Sequence, residues 1–145
     1  MKLKLHTEMV IEAPINDVWQ ILSDFSKFKD WNPFITSVAG NLTVGETLTV
    51  KIKPPGLSEQ TFRPIILKVV SQQEIRWAGV FLCDWLFRGE HYFVLEVVDA
   101  NTTKLIHGEI FSGVLVRLFA SRLKGATNAG FLAMNQALSK QVMKK

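Results

Sequence analysis

Two hydrophobic periods divide this chain, and the point where one gives way to the other limits what it can fold into. Between residues 35 and 112, apolar side chains alternate with polar ones in short segments separated by turn-forming residues. From about residue 114 the spacing becomes three and four, at Leu115, Leu118, Phe119, Leu123, Ala126, Gly130, Met134, Ala137 and Val142. Short turns leave no room for crossover helices, so the alternating segments predict an antiparallel meander. The final segment predicts a helix over 114–143, about 45 Å long at the α-helical rise. A strongly curved sheet leaves a concave apolar face, and an amphipathic helix of that length can fill it.

The segments before residue 35 fit the same plan. Residues 3–12 alternate, with Leu3, Leu5, Thr7, Met9 and Ile11 on one side, and predict a half-buried strand. Pro14 opens a helix where its missing N–H does no harm, with Val18, Trp19, Ile21 and Leu22 as its apolar stripe. A second short helix presents Phe25, Phe28 and Trp31 and stops at Asn32-Pro33. Further strands are expected over 35–38, 47–53, 61–71, 74–81, 88–98 and 103–112, with a stiff loop at Pro54-Pro55-Gly56. Gly125 and Gly130 each cost the last helix roughly 1 kcal/mol relative to alanine, which suggests a kink or a close approach there. The expected class is α+β: a curved antiparallel sheet of six or seven strands around a long C-terminal helix, with two short helices after the first strand.

Composition narrows the functional classes. With 145 residues, 48% of them hydrophobic, the chain has material for one core, and a single domain over 1–145 is expected. Its apolar runs are far shorter than the roughly 20 residues of a membrane span, and no unbroken apolar segment near the N-terminus reads as a signal peptide. The lone Cys83 forms no internal disulfide, which suits a reducing, cytoplasmic setting. The net charge of +4 is unevenly placed. Arg117, Arg122, Lys124, Lys140, Lys144 and Lys145 follow Ile110 with no acid among them. Such a stretch either solvates a helix face or attracts anions, a membrane surface included. Basic residues are not interleaved with exposed aromatics, so nucleic acid is not an expected partner. His6, His91 and His107 lack the paired spacing of a metal site, and no phosphate-binding glycine loop or nucleophile elbow is present, so neither metal nor cofactor is expected.

Taken in order, several short motifs resemble one family. They are Ile11-Glu12-Ala13-Pro14 with Val18-Trp19 and Leu22, Trp31-Asn32-Pro33-Phe34, Phe62-Arg63-Pro64, Arg76-Trp77-Ala78-Gly79 and Gly89-Glu90-His91-Tyr92-Phe93 with Leu95. Thr103, Leu105, His107, Glu109, Phe111 and Gly113 follow, then Phe131, Met134-Asn135 and Ala137-Leu138. Across essentially the whole chain this resembles the polyketide cyclase/dehydratase and lipid-transport group of the START-like (SRPBCC, helix-grip) superfamily. The resemblance implies an apolar cavity between sheet and helix that holds a hydrophobic small molecule. It does not choose between a carrier, a cyclase or dehydratase, and a co-chaperone-like interaction module, because function belongs to the site rather than the fold.

The site candidates come from register. The odd positions of 88–98 (His91, Phe93, Leu95, Val97) and of 103–112 (Thr103, Leu105, His107, Glu109, Phe111) can share one face. If that face lines the cavity, His91, His107 and Glu109 are ionisable groups in an apolar chamber, placed to orient a ligand or move a proton. The opposite face, with Tyr92, Val94, Ile106 and Ile110 inward, fits the periodicity equally well. Trp77, Phe81, Trp85 and Phe87 cluster around a strand break at 82–87 and, with the proline loop, form a candidate cavity rim. The expected ligand contacts are Trp77, Phe81, Trp85, His91, Phe93, Leu95, His107, Glu109, Phe111 and, from the last helix, Phe119, Leu123, Gly130 and Met134.

Overall fold

The alternating residues of the first segment form β1 (Lys2–Ile11), with Leu5, Thr7 and Ile11 buried and the intervening polar residues exposed, in a computed structural model that describes residues 2–144. Met1 and Lys145, the ends of the expected domain, lie outside the described residues. Helix α1 (Ile15–Ser23) starts directly after Pro14 and buries Val18 and Leu22. A single 3₁₀ turn at Phe25–Lys27 leads to the short α2 (Phe28–Trp31). The Asn32 side chain ends that helix by accepting hydrogen bonds from the Phe34 and Ile35 backbone N–H groups (3.0 and 2.9 Å).

The strands that follow are β2 (Ile35–Ala39), β3 (Thr49–Ile52), β4 (Gln60–Phe62), β5 (Ile65–Val70), β6 (Glu74–Val80), β7 (Arg88–Asp99) and β8 (Thr102–Ser112). All pairings are antiparallel, in a five-stranded sheet of order β1-β8-β7-β6-β5 and a three-stranded sheet of order β2-β3-β4. The single strand expected over 61–71 is two strands. Pro64 has no N–H to give a ladder, and Arg63-Pro64 marks the corner where the chain leaves the small sheet for the large one. The corner is tied by Leu48 N–H to Pro64 O at 2.8 Å and by an isolated bridge between Thr47 and Ile65. With that division the described residues form eight strands.

The last helix starts at Val116 rather than 114. It runs as α3 (Val116–Arg122), one π-turn at Leu123–Thr127, and α4 (Asn128–Met143). Its buried side carries Val116, Leu123, Phe131, Met134, Leu138 and Val142, but Leu118, expected on that stripe, is exposed. The π-turn explains the difference: it adds a residue to one turn, so a stripe that is inward in α4 is rotated in α3. At Gly130 the close approach is the Phe34 ring, which a Cβ there would run into. Gly125, inside the π-turn, meets nothing within 4 Å.

Candidate functional site

Burial decides which face of β7 and β8 points inward. His91, Phe93, Leu95, Thr103, Leu105, His107 and Phe111 are all buried, so the odd positions face inward, with Val97 exposed toward the end of its strand. On the outer face Tyr92 is covered by the Arg76 guanidinium, 4.9 Å from its ring centre, and its hydroxyl sits over Gly108.

The inward face holds an unbroken chain of polar side chains, and its hydrogen bonds run in one direction. Thr7 Oγ1 donates to the His107 carbonyl (2.6 Å), so the same oxygen is free to accept from Asn135 Nδ2 (2.9 Å). That fixes the Asn135 amide with Oδ1 toward His107 Nδ1 at 2.7 Å, so His107 carries its proton on Nδ1. Neutral His107 then offers only a lone pair at Nε2, which accepts from His91 Nε2–H at 2.8 Å. His91 Nδ1 in turn has a lone pair, facing Glu109 Oε1 at 3.0 Å. The remaining proton belongs to Glu109, which donates it to His91.

The electrostatics agree with that polarity. Burial pushes the Glu109 carboxyl up to about 8 and the His91 imidazole down to about 3, the neutral form being favoured in each. Burial first, and the neighbouring His91 second, hold His107 well below the ordinary imidazole range. Aromatic rings enclose both histidines. His107 is stacked between Phe93 (4.5 Å between ring centres) and Phe131 (4.4 Å), and His91 stacks on Trp77 at 5.3 Å. Glu109 alone keeps part of its side chain exposed, 16%. Its Oε2 lies directly over Gly89, where a Cβ would collide with it, and has no hydrogen-bond partner among the described residues.

The two imidazoles and the Phe131 ring thus pack against one another beneath α4. A groove of about 590 Å³ runs between α3, the π-turn and the loop after Pro54-Pro55-Gly56, lined by Leu57, Leu118, Phe119, Ser121, Arg122 and Ala126. Phe119 links it to the interior, meeting Phe87 edge-on at 5.6 Å, while Phe87 meets Phe111 beside Gly89 at 5.8 Å. A second depression of about 430 Å³ lies elsewhere, along residues 71–74 and 94–97 with Ile15.

Residues 2–141 match the family described as polyketide cyclase/dehydrase and lipid transport. The chain belongs to this family. Among curated proteins none is a match. This family protein shares its fold with the Zhui aromatase/cyclase from Streptomyces sp. R1128, at 14% identity and a TM-score of 0.81, over 99% of this chain and 95% of that one. Norcoclaurine synthase from Thalictrum flavum is similar at 16% identity and a TM-score of 0.76, over 99% and 96%. A protein from Thermus thermophilus reaches 13% identity and 0.76, over 98% of each chain. These likenesses confirm the helix-grip architecture expected from the sequence.

Of the ligand contacts expected from the sequence, only Phe119 lines the groove. His91, Phe93, Leu95, His107, Phe111, Leu123, Gly130 and Met134 are buried, and Trp77 is packed between His91 and Phe25 in the core rather than at a rim. Phe81 and Trp85 do stand exposed at the strand break. Sequence reasoning missed Thr7 and Asn135, which set the direction of the polar chain. Asn135 had a visible signal, a lone amide on the apolar stripe of the helix between Met134 and Leu138. Arg122 had one too, its place in the acid-free basic stretch, while Leu57 and Ser121 had none, because the groove joins segments some sixty residues apart. Among the described residues no group of three His, Cys, Asp or Glu could hold a metal ion.

Proposed function

We propose that this protein binds a hydrophobic small molecule with one anionic or polar end, in the groove between α3 and the Leu57 loop. The supporting observation is the groove's composition. Leu57, Leu118, Phe119 and Ala126 offer an apolar bed, and Arg122 with Ser121 supplies a cation and a hydroxyl at its edge. A volume of 590 Å³ falls in the range of small-molecule sites, about 300–1,000 Å³. The family's description, which includes lipid transport, supports the same ligand class. A fluorescent probe of this chemistry, anilinonaphthalene sulfonate, should bind saturably. Phe119→Ala and Arg122→Ala should each weaken it about fivefold, near 1 kcal/mol. Absence of saturable binding, or an affinity indifferent to both substitutions, would refute the proposal.

One observation favours a second reading, a proton-transferring cyclase or dehydratase. Glu109 is a neutral acid at neutral pH with an unbonded, partly exposed oxygen, and its other oxygen is tied to His91 and, through it, to His107. When the carboxyl turns away from His91, its single proton can pass to a carbonyl or a departing hydroxyl and leave the carboxylate behind. On this reading Glu109→Gln stops the turnover of a poly-β-ketone substrate while the fold survives. Undiminished turnover would remove Glu109 from the chemistry.

A further inference from the structure

The segment between β6 and β7, residues 81–87, lies directly beside the start of α3. Val114 N–H donates to Trp85 O and Leu115 N–H to Leu86 O, each at 3.0 Å. From this joined rim large apolar side chains project into solvent: Leu82 is 80% exposed, Leu118 73%, Trp85 69%, and Phe81 and Val114 more than half. Leu82 also adopts a left-handed backbone conformation (φ 67°), which a leucine takes at a cost of roughly 1 kcal/mol. Water gives no reward for holding this side chain out, so its exposure points to an apolar partner.

The charges beside the rim choose the partner. Arg117, Arg122 and Lys124 are exposed on α3 and the π-turn, and none forms an ion pair among the described residues. The rim's one acid is Asp84. A second copy of this chain meeting the rim face to face would bring the same cations against these. An anionic bilayer surface satisfies both features at once: its headgroups face the cations and its acyl boundary accepts the apolar prongs.

We infer that the rim formed by residues 81–87 and the exposed side of α3 docks on anionic lipid bilayers. Leu118 belongs both to this rim and to the groove, so docking sets the groove mouth against the lipid surface. The surface stands independently of what the groove holds, because Leu82 and Trp85 do not line it.

Sedimentation with phosphatidylcholine vesicles, with and without phosphatidylserine, tests the inference. Binding is expected to the phosphatidylserine vesicles and to fall with added salt. Tryptophan emission should shift to the blue on binding and be quenched by brominated acyl chains, and Trp85→Phe should remove most of that response. Leu82→Asp keeps the left-handed backbone acceptable, since aspartate tolerates it. Leu82→Asp and the double variant Arg117→Glu, Lys124→Glu should each weaken vesicle binding roughly tenfold or more. Anilinonaphthalene sulfonate should still bind the groove of Leu82→Asp, which separates loss of docking from loss of fold or of the groove. No vesicle binding by the native protein, binding indifferent to these substitutions, or a native dimer that Leu82→Asp disperses would each overturn the inference.

Discussion

The direction of the buried polar chain depends on one hydroxyl. Thr7 Oγ1 has a single hydrogen, given to the His107 carbonyl, and this leaves the oxygen as the acceptor that holds Asn135 in place. Thr7→Val keeps shape and β propensity but leaves the Asn135 amide without its acceptor in a site that water does not reach. An orphaned buried donor costs about 1–3 kcal/mol. The unfolding free energy from urea titration should fall by that amount with the slope of the transition unchanged. A midpoint equal to that of the native protein would mean that Asn135 is not fixed by Thr7, and the tautomer argument for His107 would lose its anchor.

At the scale of the helix, the two glycines of the last segment make opposite predictions. A methyl at Gly130 would run into the Phe34 ring, which is itself edge-on to Phe131 and enclosed. Gly130→Ala should destabilise by about 1–3 kcal/mol, the usual cost of overpacking. Gly125 has open space around it, so Gly125→Ala should gain up to about 1 kcal/mol from helix propensity. Thermal unfolding of the two variants side by side checks this, and a destabilised Gly125→Ala would mean that the π-turn needs glycine there. The sequence shows both glycines as costs and cannot tell them apart, because the distinguishing atom belongs to Phe34, far away in the chain. The same limit applies elsewhere. Strict alternation on β7 and β8 is plain, yet it fits either face until burial chooses one. The corner at Arg63-Pro64 is hidden by the β-branched residues around it, although proline's missing N–H is a sufficient warning. The period change after residue 112 is readable because a helix and a strand repeat differently. The rotation introduced by the π-turn is not, which is why the helical stripe puts Leu118 on the wrong side.

For the molecule as a whole, the buried ionisable groups shape how stability depends on pH. Glu109 is raised from 4.5 to about 8, so between those values the unfolded chain has released a proton that the folded protein keeps. The stability this group confers is complete below 4.5 and is lost as pH rises toward 8. His91 is lowered from 6.5 to about 3, and His107 moves the same way, so their contribution is complete above 6.5 and is lost as pH falls. Between 4.5 and 6.5 the two histidines outweigh the one carboxyl, so these three groups together place the maximum near 6.5. Above it Glu109 acts alone, because the lowered carboxylates Glu74 and Glu90 weaken the fold only in acid and Tyr92 titrates above its usual alkaline value. Stability should therefore drop by about 2 kcal/mol between roughly pH 6.5 and 8, at about 1.36 kcal/mol per unit. Glu109→Gln isolates the effect, since a glutamine amide can still donate to His91 Nδ1 and preserve the direction of the chain while having no proton to lose. Urea unfolding of this variant should give the same free energy at both pH values. An alkaline loss as large as that of the native protein would show that Glu109 is not its source, and the neutral acid at the end of the histidine chain would have to be abandoned.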